Sequence, residues 1–243
     1  MHRFLLKGEA IEGRYELSKE ELHHLQNVLR IKNDSEIIVF DGRGKEYLAL
    51  FKEDESGFFA EIIRETTEER EAVLKIKLFQ GVPKGEKMEL IIQKCTELGV
   101  SEIIPVLSSR CVVQLEEGKA EKKRQRWQKI AEEAAKQCRR SMIPPVRKPS
   151  KFSEIIADLC LEDDSVVLWE NEDSLSLREA LESFEQSELN IFVGPEGGWS
   201  EEEIAALQEK GVRSVTLGKR ILRTETAAIT ATVIALYRAG DLG

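Results

Sequence analysis

The sequence predicts an α/β protein: a small β-barrel-like domain followed by a larger domain built on a mostly parallel sheet. Three observations predict it. Between about residues 73 and 237, strand-like and helix-like segments alternate, as in β-α-β units. Two of those strands, Ile191–Val193 and Val212–Leu217, end in glycine turns that lead into helix starts, the arrangement in which open α/β sheets hold cofactors. Residues 1–64 instead read as short apolar runs split by polar turns.

In the first domain, Ile37-Ile38-Val39-Phe40 is a buried strand ended by Asp41-Gly42-Arg43-Gly44. Tyr47–Phe51 and Phe58–Ile63 follow as strands around a polar turn. One helix is expected, Ser18–Leu29, with Ser18 and Glu21 as a capping box and Leu22, Leu25, Val28 and Leu29 as its apolar side. His23 and His24 are neighbours on it and point different ways, and His2 is the only other histidine, so no zinc site is expected. Thr66–Glu71 is charged and aperiodic and reads as the linker, which sets domains at 1–70 and 71–243.

The second domain opens with a strand at Val73–Phe79 and the turn Pro83-Lys84-Gly85. A helix from Glu86 to Leu98 places Met88, Ile91, Cys95 and Leu98 on one side, and Gly99 ends it. Ile103–Val106 is a strand, with Arg110 just past its end. Lys119 to about Arg140 is a long helix striped by Trp127, Ala131, Ala134, Ala135 and Cys138, stopped before Pro144-Pro145. Residues 149–159 are a loop and a short helix, Val166–Trp169 a strand, and 175–184 a helix. After Gly194–Gly198, Ser200 and Glu203 form a capping box for the next helix, which Gly211 closes. Thr224 is placed to cap the last helix, rich in Ala227, Ala228 and Ala231.

The net charge of −9 argues against a general nucleic-acid coat. Arrangement matters more: residues 119–151 hold 12 Lys or Arg against 3 Glu, a local footprint for an anionic partner. Residues 1–72 are acidic, with 11 Lys or Arg against 17 Asp or Glu. No apolar run reaches membrane-spanning length and Met1-His2-Arg3-Phe4 begins no signal peptide, so no membrane association is expected. Cys95, Cys111, Cys138 and Cys160 lie far apart, as four reduced thiols of a cytoplasmic protein would. There is no G-x-G-x-x-G after an early strand, no P-loop and no G-x-S-x-G elbow. The second domain contains no histidine, so hydrolysis with a histidine base is disfavoured. What remains is a glycine-rich cradle. Leu168, Val193, Leu217, Ile221 and Leu222 are placed to line an apolar slot for a flat ring, with the backbone of both glycine turns reading its edge.

Five ordered blocks carry a family resemblance: His23–Arg30; Gln93-Lys94-Cys95-Thr96-Glu97-Leu98-Gly99-Val100; Arg110 with Ile130–Arg140 and Pro144; Gly194-Pro195-Glu196-Gly197-Gly198; and Leu217–Ala227. Together they resemble the 16S ribosomal RNA uridine-N3 methyltransferase family (RsmE) of the SPOUT superfamily, over nearly the whole chain. The one local departure is Arg139, where the family pattern has a small residue before Arg140.

The resemblance implies a PUA-like β-barrel at 1–70 for RNA recognition and a trefoil-knotted methyltransferase domain at 71–243. It implies S-adenosylmethionine as cofactor, a homodimer, and methylation of N3 of one uridine in 16S ribosomal RNA of the small subunit. By position, Gly194, Gly197 and Gly198 in one loop and Leu217, Gly218, Ile221, Leu222, Arg223 and Thr224 in the other hold the cofactor, with Leu168, Glu170 and Val193 beside it. Uracil N3 must lose a proton before it attacks, so the site needs a proton acceptor and a cation for the charge on O2 and O4. Arg223 is expected to stabilise that charge, and Glu196 or Glu225 to take the proton. Candidate RNA contacts in the first domain are Arg3, Arg30, Arg43 and Lys45; in the second, Arg110, Lys122, Lys123, Arg124, Arg126, Arg139 and Arg140. No metal is expected.

Overall fold

The computed structural model describes residues 2–6, 13–17, 32–54, 57–66, 70–111, 117–159, 164–182, 184 and 187–243. The expected helix Ser18–Leu29, with His23 and His24, lies outside the described residues, as do Arg30 and Cys160. Two compact units are present: Met1–Glu71 together with Ala135–Ile143, and Ala72–Ala134 together with Pro144–Gly243.

The first unit contains β1 (Arg3–Leu5), β2 (Arg14–Glu16), β3 (Glu36–Phe40), β4 (Glu46–Asp54) and β5 (Gly57–Glu65). They form one sheet in the order β1-β3-β4-β5-β2. β1 runs parallel to β3, and the remaining pairs are antiparallel. Alternation along the strands sends Ile37 and Val39 of β3, Ala49 and Phe51 of β4 and Ala60 of β5 into one core with Phe4, Leu6, Tyr15 and Leu17. At the β3–β4 turn the Asp41 carboxylate accepts the backbone N–H groups of Arg43 and Lys45 at 2.7 and 3.0 Å. That holds the turn and leaves both basic side chains exposed.

A buried polar frame completes this unit. Arg3 pairs with Glu46 and donates from Nη2 to the Arg140 carbonyl at 3.0 Å. Arg140 donates from Nε and Nη2 to Glu71 Oε2 at 3.0 and 2.8 Å. Glu71 Oε1 in turn accepts the backbone N–H groups of Ser141 and Met142, each at 2.9 Å. The Arg140 side chain is only 5% exposed. Arg3 and Arg140 were expected to contact RNA; instead both side chains are enclosed within the unit, paired with the carboxylates of Glu46 and Glu71. Arg139 is exposed and has φ of 68°. It follows a helix end and takes the left-handed turn that a glycine would take without steric cost.

The second unit carries a sheet of β6 (Lys75–Gly81), β7 (Glu102–Leu107), β8 (Ser150–Lys151), β9 (Ser165–Leu168), β10 (Glu188–Val193) and β11 (Arg213–Val215). The order is β11-β9-β10-β6-β7-β8, and every pair is parallel. The helices are α1 (Lys87–Leu98), α2 (Glu117–Cys138, whose last residues count with the first unit), α3 (Phe152–Asp158), α4 (Leu177–Ala180), α5 (Glu201–Glu209) and α6 (Thr224–Arg238). Strand and helix thus alternate as the sequence predicts, with two differences. The edge strand β8 was not anticipated, because Ser150-Lys151 carries no apolar pattern. The helix expected over 175–184 contracts to α4, capped by Ser176 with Glu179.

The central strands β6 and β10 are largely buried, most completely toward their carboxyl ends, as parallel strands covered by helices are. Phe79 and Phe192 stack at 4.2 Å between ring centroids within a core that includes Val106, Val167, Trp199, Ile204 and Leu207. From β6 the chain first builds outward to β7 and β8, then resumes on the other side of β6 with β9 to β11. The order therefore reverses between β6 and β10, the place where open α/β sheets leave a crevice beyond the strand ends. α6 returns from the β11 edge to pack against α1, β10 and β6.

Adjacent arginines are expected to show opposite effects on stability. Arg139→Gly relieves a left-handed residue and should raise the unfolding free energy by about 1 kcal/mol. Arg140→Ala leaves Glu71 without its cation and should lower it by about 3 kcal/mol. Denaturant unfolding of both variants beside the wild type measures the two signs.

Candidate active site

The crevice is a cavity of about 1020 Å³ formed by the segments that follow β6, β9, β10 and β11. Its size is at the upper end for a small-molecule site. Leu168 and Glu170 line it from the β9 side; Val193, Gly194, Glu196 and Gly198 from the β10 side. Leu217, Gly218, Ile221, Leu222, Arg223 and Thr224 line it from the β11–α6 loop. Of the residues expected around a cofactor, only Gly197 is not in the lining. Its carbonyl accepts from Arg110 Nη1 at 3.0 Å, so Arg110 braces the glycine loop.

The glycines are required by close approach. A Cβ on Gly81 would lie 2.5 Å from Pro195 Cδ and 2.6 Å from its nitrogen, so the end of β6 and the glycine loop touch backbone to backbone. Gly198 has φ of 68°, and a Cβ there would meet Glu170 Oε1 at 2.4 Å. The loop then enters α5 through the expected capping box of Ser200 and Glu203. Glu203 does more than cap: its Oε1 also accepts the backbone N–H of Ser109 at 2.7 Å, tying in the loop that carries Arg110.

Thr224 was expected to cap α6. It is instead the first helical residue, after Arg223 as N-cap, and its hydroxyl donates to the Gly194 carbonyl at 2.6 Å. The same oxygen accepts from Gln80 Nε2 at 2.9 Å, and Gln80 Nε2 also donates to the Gly81 carbonyl at 2.9 Å. Gln80 is fully buried. One amide thus joins the end of β6, the glycine loop and the start of α6.

Glu196 is held from the β6–α1 side. Lys87 Nζ lies 2.8 Å from its Oε1, and the Lys84 backbone N–H is 3.2 Å from both carboxylate oxygens. Partial burial is the largest single influence and would raise its pKa, but the donors from Lys87, its own backbone N–H and Lys84 together outweigh it and lower it. Glu225, the other expected proton acceptor, is not in the cavity lining. Its Oε2 is buried without a hydrogen-bond partner among the described residues.

The remaining charges at the cavity divide by loop. Glu170 and Asp173 follow β9, where Glu172 is occupied by Ser174 and Leu175. Lys219, Arg220 and Arg223 follow β11 and are exposed. Away from the cavity, Arg124 pairs with Glu121 at 2.7 Å and Arg126 with Glu89 at 2.7 Å, while Lys123 sits over the Trp127 ring. Lys122 is exposed. The basic segment of α2 is therefore partly neutralised by a carboxylate of its own and one of α1.

S-adenosylmethionine fits this lining. Leu168, Val193, Leu217 and Leu222 offer apolar surface to an adenine, the two glycine loops offer backbone donors and acceptors, and Glu170 and Asp173 suit a sulfonium and an ammonium group. Lys87, Trp169, Asp173, Lys219 and Arg220 line the cavity and Gln80 supports it, none of which sequence reasoning singled out for the cofactor. Lys219 and Arg220 carried a signal, since they lie inside the resembling block; Gln80 carried none.

A family model described as an RNA methyltransferase domain matches residues 69–236, and one described as an RNA methyltransferase PUA domain matches residues 17–63. The chain is similar to the ribosomal RNA small subunit methyltransferase E of Bacillus subtilis, 39% identical over 225 residues, 89% of this chain and 87% of that protein. It is 34% identical to the protein of that name from Synechocystis, over 96% of this chain and 75% of that one. The crystal structure of ribosomal RNA small subunit methyltransferase E from Neisseria gonorrhoeae, bound to S-adenosyl methionine, is similar with a TM-score of 0.85 and 36% identity, covering 96% of this chain and 95% of that one.

The lowered pKa of Glu196 gives a pH test. A depressed carboxylate adds stability that is fully present above its ordinary value of 4.5 and is lost as pH falls through the lower folded value. Glu196→Gln should therefore cost about 0.5–1 kcal/mol near pH 7, and the gap to wild type should close under acid, read from denaturant unfolding across that range.

Proposed function

We infer the reaction from one premise: the chain belongs to the ribosomal RNA small subunit methyltransferase E family. Its two units are a PUA-like domain and a SPOUT-type α/β methyltransferase domain. The protein transfers a methyl group from S-adenosylmethionine to N3 of a uridine in 16S ribosomal RNA of the small subunit. The observation that carries this reading is the cavity at the sheet's reversal, whose lining combines apolar strand ends, glycine loops and acidic groups.

Bound S-adenosylmethionine supplies an electrophilic methyl group on a positively charged sulfur. The protein must place the uracil edge in line with it and ease the loss of the N3 proton. Arg223, the N-cap of α6, projects from the backbone that Thr224 fixes to Gly194, so its position is set by the cofactor loops themselves. We assign it the charge that grows on O2 and O4 as N3 becomes an anion. Of the two expected proton acceptors we favour Glu196, because it lines the cavity and is already ionised at neutral pH. Its low proton affinity makes it a relay to water rather than a final resting place. Glu225, outside the lining, is left an orienting role at the start of α6.

The first unit, with exposed Arg43 and Lys45, is assigned to RNA recognition. Self-association is assigned to α1 and α6, where Leu90, Val233 and Tyr237 are exposed apolar side chains on two helices that pack together. A cytoplasmic location follows from the ribosomal substrate. Among the described residues, no helix is long and apolar enough to cross a membrane.

Arg223→Ala is expected to lower kcat by about 10²–10³ with an unchanged unfolding transition. The assay is methyl transfer from labelled S-adenosylmethionine to small ribosomal subunits lacking the modification, with nucleoside analysis of the product. Label in 3-methyluridine supports the reaction; label on ribose, or wild-type turnover by the variant, overturns the corresponding assignment.

A further inference from the structure

We propose that residues 219–223 dock the substrate nucleotide: Ile221 packs against the face of the unstacked uridine, and Lys219 and Arg220 hold the phosphates beside it. This rests on the reaction inferred above and adds to it which part of the catalytic unit touches RNA.

The first argument is availability. Lys219 and Arg220 are exposed at the cavity rim, and neither has a carboxylate partner among the described residues. The arginines that charge counting favoured are spent elsewhere, on Glu71, Glu121 and Glu89. An unpaired cation binds phosphate without first breaking an ion pair.

The second argument is Ile221. It is 86% exposed, between Arg220 and Leu222 on the rim of the site. The loop around it is anchored at both feet: the Gly218 N–H donates to Thr216 Oγ1 at 3.2 Å, and the Thr224 hydroxyl to the Gly194 carbonyl at 2.6 Å. An apolar tip on a pinned loop offers a fixed surface to a flat partner. The partner has that shape for a chemical reason. Uracil N3 lies on the pairing edge, so the base must leave any stack and pair before it can react, and an apolar side chain then replaces the lost neighbour.

The third argument is the division of charge. Glu170 and Asp173 stand on the β9 loop and the free cations on the β11 loop. A cationic cofactor and a polyanionic RNA are drawn to different loops of one cavity.

The test measures binding of the full-length protein to purified small ribosomal subunits lacking the methyl group, by filter retention over a series of salt concentrations. The variants are Lys219→Ala/Arg220→Ala and Ile221→Ser, and calorimetry measures the affinity of each for S-adenosylmethionine. The double variant should bind subunits more weakly and flatten the plot of log affinity against log salt by about 1.4, two lost phosphates at about 0.7 each. Ile221→Ser should weaken subunit binding about tenfold with the slope unchanged, and in both variants the loss of subunit affinity should exceed any loss of cofactor affinity. Wild-type slopes and affinities in the variants overturn the proposal, as does a loss of cofactor affinity equal to the loss of subunit binding. Nucleoside analysis of the wild-type product separates the two readings. Absence of 3-methyluridine alongside the expected binding changes removes the reaction and keeps the docking loop; 3-methyluridine with unchanged variant binding removes only the docking loop.

Discussion

The hydroxyl of Thr224 is the point on which the cavity depends. It donates to the Gly194 carbonyl and accepts from the buried amide of Gln80, so three chain segments distant in sequence meet at one oxygen. A buried amide or hydroxyl left unpaired costs roughly 1–3 kcal/mol, so losing either bond at this oxygen would loosen the junction. The close contact of Gly81 with Pro195 reinforces it, because backbone atoms there leave no room for a side chain. The cavity lining is placed by this junction: the glycine loop on one side, the β11–α6 loop on the other, and Arg223 directly before the anchoring residue.

Around that junction, charge is used in two ways. Some pairs are structural: Glu71 with Arg140 in the first unit, Glu196 with Lys87 in the second, and Glu203 on the backbone of Ser109. Each carboxylate gathers several donors and fixes a loop. Other charges stay open to solvent, notably Lys219 and Arg220. A family of this kind must recognise both a cationic cofactor and a polyanionic partner within one crevice. Keeping the acidic and basic groups on different loops would spare each of them like charges at its own contacts.

The strands and most helices were legible because burial imposes a period, and glycine marks backbone contact. Capping at Ser200 and the closure at Gly99 followed from local chemistry alone. The glycine loops and the apolar strand ends located the cavity for the same reason. What the sequence hid was pairing. Arg140 and Lys122 look alike in a charge count, yet one is enclosed with Glu71 and the other stands in water. Gln80 is one polar residue at the end of an apolar strand, and its partners come from far along the chain. Thr224 carries a capping residue's chemistry, but a distant carbonyl won its proton. The strand β8 escaped because two paired edge residues need no apolar pattern.

The junction at Thr224 also orders events in time. During synthesis the chain emerges from its amino end, and α6 is made after every segment it fastens. Until residues 224–238 arrive, Gln80 lacks its hydroxyl partner and the β11–α6 loop has only one anchored foot. A nascent chain that has folded its sheet still has no finished pocket. The finished pocket therefore depends on residues that are made after the sheet that frames it.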